Sequence, residues 1–165
     1  MTARAISPAM LISLLLVGCG GEERRAPLVG TIEAGPNAGL SNAGTLWNLR
    51  GALNVAALKC GGAAPDQYNA ALKAHAPSFR RAQKRLEREY RRQGGDWRDA
   101  FDDAQTRLYN YTAHPRGERA FCLAAQPVLA EIAQVPRGQL TAFAAKSLIS
   151  LDRALVGGAS GAAKR

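Results

Sequence analysis

The chain has little of what most recognisable enzymes carry. Two histidines and three cysteines are its whole stock of imidazole and thiol. None of them forms a CxxC or a Cys/His cluster, which removes the usual zinc and redox layouts. GxSxG, HExxH and a Gly-rich phosphate loop are all missing, so nucleophile-elbow hydrolases, zinc proteases and P-loop nucleotide enzymes have no foothold. No cofactor and no metal are expected, and the reading is non-enzymatic. An enzyme without a recognisable motif stands as a distant alternative. β-Branched residues are scarce and never alternate over a strand's length, which argues against a sheet protein. The apolar run at 9–17 falls short of the roughly 20 residues a membrane-spanning helix needs. Acidic residues are also few: 13 against 22 Lys and Arg, leaving a net charge of +9.

What the chain does contain begins at its N-terminus. Arg4 precedes the apolar run, which is the layout of a secretory signal. The run closes on Leu16, Val17, Gly18 and Cys19, which together resemble the bacterial lipobox. That resemblance implies diacylglycerol on the Cys19 thiol, cleavage ahead of it, and acylation, typically with palmitate, of the new amine. Several acyl chains on one residue give lasting attachment without a spanning segment. Gly20 rather than Asp follows the cysteine, which by resemblance to sorted lipoproteins implies the outer membrane, facing the periplasm. The rival is an ordinary signal cut after Gly20 or Ala26, leaving a soluble periplasmic or secreted protein. The chain then divides into a lipoprotein signal peptide at 1–18, a flexible tether at 19–45, a helical domain at 46–155 and a disordered tail at 156–165.

Arg4 is the only charge ahead of residue 19, so the mature domain keeps nearly all of the basic excess. An exported chain meets no nucleic acid. The partners its charge would attract are anionic envelope components such as lipopolysaccharide and anionic lipid, or another envelope protein, with the membrane itself reached through acylated Cys19. Net charge alone is also explained by solubility. An odd number of cysteines ordinarily leaves a thiol over. Assigning Cys19 to lipid, or losing it with the signal, leaves Cys60 and Cys122 as the pair in an oxidising compartment, and a disulfide follows.

Helical spacing organises the rest. Thr45 can cap a first helix with Leu46, Leu49, Leu53, Ala56 and Cys60 on its stripe, ended by Gly61 and Gly62. Trp47 lies one position off that stripe as a core flank. A short second helix at 65–75, with Tyr68 and Leu72 on one face, is closed by Pro77. A third from Ser78 to about Arg92 carries Phe79, Ala82, Leu86 and Tyr90. A fourth from Asp96 carries Trp97, Phe101, Ala104, Leu108 and Tyr111. A fifth at 117–133 turns Phe121, Cys122, Ala125, Leu129 and Ile132 inward, so that Cys122 meets Cys60 where the first and fifth helices pack. A sixth carries Leu140, Phe143, Ala144, Leu148 and Leu151 to about Leu155. The expected fold is a single compact all-α bundle of about five to six helices stapled by one disulfide.

The most visible surface feature is the basic helix at 80–92. Spacings of three, four and seven gather Arg81, Lys84, Arg85, Arg88 and Arg92 on about one side, and arginine's planar fork suits phosphate. Glu87 and Glu89 interrupt the field, and Arg85 with Glu89 can pair at i,i+4. The sequence favours a solvated face over a binding site here. Asp99, Asp102 and Asp103 have cation-gathering spacing, but acidic residues early in a helix are explained by its dipole. His75 and His114 each stand near a proline that ends a helix, where a cation is favourable. Arg107, Tyr109, Asn110 and Tyr111 form a weak aromatic-amide pocket candidate.

Leu46-Trp47-Asn48-Leu49-Arg50, the run from Leu53 to Cys60, Tyr68-Asn69, Arg107 to Tyr111, and Phe121-Cys122 together resemble a family of small secreted helical proteins of alphaproteobacteria, of the kind found in sphingomonads. The likeness covers most of residues 46–136. It implies the helical fold and the paired cysteines, and it brings no activity or catalytic residue with it. The lipobox is a property of this chain and is not implied by the family.

Overall fold

Small residues let one helix be surrounded. In α1 (Asn42–Lys59), Gly44, Gly51, Ala52 and Ala56 are buried along with Leu49, Leu53 and Val55, and every other helix packs against it. A helix buried on nearly all sides shows no single apolar stripe. Of the expected line, Leu49, Leu53 and Ala56 are buried, and Leu46 and Cys60 at its two ends are half-buried. Gly51 is where α3 comes closest, since a Cβ there would stand 2.9 Å from Leu108 Cδ2.

The structure, a computed structural model, describes residues 35–162. The expected signal peptide, Cys19 and the tether up to residue 34 lie outside the described residues. The remaining elements are α2 (Ala64–Gln93), α3 (Trp97–Thr112), a short 3-10 turn (Pro115–Gly117), α4 (Glu118–Ile132) and α5 (Leu140–Ala162). Among the described residues there is no strand, and no helix is long and apolar enough to cross a membrane.

Helix α2 corrects the expectation of two helices broken at Pro77. An interior proline costs about 3 kcal/mol, yet the buried positions Tyr68, Ala71, His75, Ser78, Phe79, Ala82 and Leu86 keep three- and four-residue spacing straight across it. The stripe is continuous, so both halves gain their burial only if the helix stays in register. Burying side chains of the size of Phe79 and Leu86 contributes about 2 kcal/mol each, enough to offset the proline. Gly94 and Gly95, both at positive φ, end the helix.

Three further boundaries differ from expectation. The N-cap of α1 is Ser41, whose hydroxyl accepts from the Gly44 N–H at 3.1 Å; Thr45, expected to cap, lies inside the helix and donates to the Ser41 carbonyl. Residues 35–45 belong to the folded domain and not to a tether, because Asn37 and the Pro36 carbonyl are hydrogen-bonded to the bundle. At the other end α5 runs on to Ala162, through the Gly157 and Gly158 expected to begin a disordered tail. Leu155 packs against Gly117 of the 3-10 turn, within 3.0 Å of where a Cβ would sit. Once that turn is anchored, each added helical residue needs little further help.

Cys60 and Cys122 meet where α1 packs on α4, at disulfide distance with Cα atoms 5.3 Å apart. Lys59, beside them, donates to the Ala113 carbonyl at the end of α3 (2.9 Å) and pairs with Glu118 in the first turn of α4 (2.6 Å). A cation at one helix's C-terminus and an anion at another's N-terminus both complement the dipoles. Three helix ends are thus tied at one corner. The α3 stripe is shallower than expected: Leu108 is buried, whereas Phe101 meets Tyr90 edge-on at 5.5 Å and Trp97 is half-exposed between the guanidinium groups of Arg91 and Arg98.

Candidate functional site

The stripe that buries Ala82 and Leu86 leaves the opposite side of α2 in solvent, and its basic residues diverge from there. Arg80 lies in a small hollow beside Trp47 and Arg50, and Arg91 stacks on Trp97. Arg81, Lys84, Arg85 and Arg88 instead line one side of a groove of about 380 Å³. Asn42 and Ala43, at the start of α1, line it too, as do Arg137 from the α4–α5 turn and Thr141 from the first turn of α5. Leu46 and Ala82 contribute apolar surface, and Ser78 takes a hydrogen bond from Arg81 Nη2 at 3.3 Å. Arg92, expected to join the cluster, does not line the groove.

The interrupting carboxylates are turned to other partners. Glu87 accepts from Gln83 at 3.0 Å, and Glu89 accepts from the Ser41 hydroxyl at 2.7 Å. Among the described residues no ion pair joins Arg85 to Glu89. The expected pairing is replaced by a contact between α2 and the cap of α1. The groove therefore carries five positive side chains, no lining carboxylate, and hydroxyl and amide donors between them.

A larger hollow of about 550 Å³ at the α4–α5 turn mixes Glu131 with Lys146 over Val135, Pro136 and Phe143, with no common sign of charge. The acidic residues and histidines that the sequence explains by helix dipoles fall elsewhere. Asp102 and Asp103 point into solvent, and among the described residues no group of three or more His, Cys, Asp or Glu could hold a metal ion. His75 does not stand at a helix end. It lies in mid-helix, 2 % exposed, with Nε2 at 2.8 Å from the Ile132 carbonyl and its ring edge-on to Phe79. It ties α2 to the end of α4. His114 follows the end of α3, as expected, and is exposed.

One polar cluster was not anticipated from the sequence. Asn37 donates to Asp152 of α5 at 2.8 Å, and Asn48 of α1 donates to both Asn37 Oδ1 and the Pro36 carbonyl. The Tyr111 hydroxyl, placed in the core stripe by periodicity, also bonds Asp152. Burial pushes the Asp152 carboxyl above its ordinary value, against the lowering effect of the Asn37 and Tyr111 hydrogen bonds. Burial and the Asp152 charge push Tyr111 up to about 12. A carboxyl raised in the fold is protonated in both states at low pH and costs stability as pH rises through its folded pKa. Asp152→Asn is therefore expected to flatten the fall in stability above about pH 4 by less than about 1 kcal/mol, since the group is half-exposed and screened. In the same variant the late phenolate titration of Tyr111 should move down from about 12 while staying above 10. Urea unfolding across pH and ultraviolet titration, with Tyr111→Phe to assign the signal, check both.

No protein-family model matches the chain, and no curated protein or solved structure is similar enough to it to count as a match. The site is accordingly read from its own chemistry.

Proposed function

We propose that this chain is an envelope lipoprotein, acylated at Cys19 and held at the outer membrane facing the periplasm. Its helical domain works without catalysis, as an interaction module that engages anionic envelope components such as lipopolysaccharide. The observation that carries the binding part is the groove, in which Arg137 joins four basic residues of α2 and no carboxylate answers them. A merely solvated basic face does not need a cation delivered from a different element. The anchor rests on the lipobox of residues 16–19. If the signal is cut later, the same domain acts as a soluble periplasmic protein, and the groove keeps its chemistry.

One preparation tests both parts. Intact mass of protein extracted from membranes should show a start at Cys19 carrying acyl chains; a mature start beyond residue 19 removes the anchor. With the same protein, Arg81→Glu, Arg85→Glu and Arg88→Glu together should weaken lipopolysaccharide binding on the order of 100-fold, taking about 1 kcal/mol for each reversed surface charge. Unchanged binding would sink the anion-binding reading.

A further inference from the structure

Resting on that reading of the groove as an anion site, we infer that it is a two-sided clamp for a terminal phosphate monoester, with Arg137 as the residue that selects it. Two observations beyond the basic row lead there.

The first is where the groove opens. Asn42 and Ala43 are the first residues of α1, and Thr141 belongs to the first turn of α5. Two helix N-termini therefore border one cavity. Each offers backbone N–H groups that have no intrahelical acceptor and the positive end of a helix dipole. Ser41 occupies the Gly44 N–H; its hydroxyl donates to Glu89, and neither residue lines the groove.

The second is how its cations are distributed. Arg81, Lys84, Arg85 and Arg88 come from one helix, while Arg137 comes from the turn that leads into α5. A flat polyanion would need only the row on α2. Cations from separate elements suit a compact group that presents oxygens in several directions. The side chains of the row and Arg137 are donors without acceptors, and the helix starts add N–H donors. Their complement is a group made only of acceptors. A phosphate monoester has three free oxygens and close to two charges, whereas a diester has two free oxygens and one charge, and a carboxylate is smaller and planar. Ala43, Leu46 and Ala82 leave apolar surface beside the clamp for the sugar or glycerol that bears the phosphate. A volume of about 380 Å³ accommodates a head group of that size and lies at the small end of ligand pockets.

Isothermal titration of the full chain in nonionic detergent at physiological salt tests the clamp. The probes are glycerol 3-phosphate, the diester glycerophosphoglycerol, inorganic phosphate and the dicarboxylate succinate. The monoester should bind at least ten-fold tighter than the diester and succinate. Arg137→Gln should remove most of that margin and leave the melting temperature unchanged, because Arg137 is exposed on a turn; Arg137→Lys should restore part of it. Inorganic phosphate binding as tightly as glycerol 3-phosphate would assign the site to free phosphate, and weaker binding would assign it to a phosphorylated head group. Equal affinity for monoester, diester and succinate, or an Arg137→Gln variant that weakens all of them alike, would overturn the clamp. Lipopolysaccharide binding that still depends on Arg81, Arg85 and Arg88 would then leave the broader reading standing. Loss of that dependence would overturn the broader reading instead.

Discussion

Replacing Cys60 and Cys122 together by alanine is expected to lower the unfolding free energy by about 4 kcal/mol. The two residues are 62 positions apart, and closing a loop of that length removes about this much entropy from the unfolded chain in the polymer model. The native state should lose less. Lys59 still ties the ends of α3 and α4 beside the vacated bond, and Phe121 still fills the core next to it. Most of the effect therefore acts on the unfolded ensemble. The denaturant slope should rise as the released chain exposes more surface, along with the fall in midpoint. Urea unfolding of the wild type with and without reductant should reproduce the double variant. A loss under about 1 kcal/mol would mean that the closed loop contributes far less than its length implies.

Phe121→Ala is expected to cost about 3–5 kcal/mol, the range for deleting a buried aromatic from a core that cannot collapse around the gap. Phe121 is among the largest fully buried side chains, in a cluster fed by α1, α2, α4 and α5. The covalent bond at its neighbour Cys122 limits how far α4 can shift to fill the space. Combined with loss of the disulfide, the two changes should fall short of additivity, because a freed α4 can relax into the cavity. Leu123→Ala is the control. Leu123 lies two residues further on the same helix but is 61 % exposed, so its removal should stay within about 0.5 kcal/mol. Chemical denaturation of the three variants separates burial from helix propensity.

Periodicity made the helical class and most buried positions legible, since a stripe such as Leu140, Ala144, Leu148 and Leu151 is written locally. The same rule applied to Pro77 in isolation broke α2 in two. The information that rejoins it is the phase of the stripe on both sides, which a local stop signal hides. Ser41 does not stand out as a cap in the sequence because a Gly-rich, aperiodic stretch surrounds it. Its partners in holding that stretch down, Asn37 and Asp152, are 115 residues apart. Four of the five proposed anion-binding residues were visible as spacing on one helix. Arg137 was not, because between Pro136 and Gly138 it reads as an ordinary turn charge. Only the packing of α5 against α1, which brings the α4–α5 turn to the groove, gives it a role.

The covalent ring closed by Cys60 and Cys122 encloses all of α2 and α3. One exposed break in it is the turn at Gly94 and Gly95, where both residues are in solvent and at positive φ. A protease that cuts there severs one peptide bond and liberates no fragment, because both new ends remain attached through the sulfur bridge. The four groove-lining basic residues of α2 lie between Cys60 and that turn, so they stay joined to the rest of the domain. A molecule nicked at that turn is therefore not dismantled, and the groove stays on one covalently joined domain.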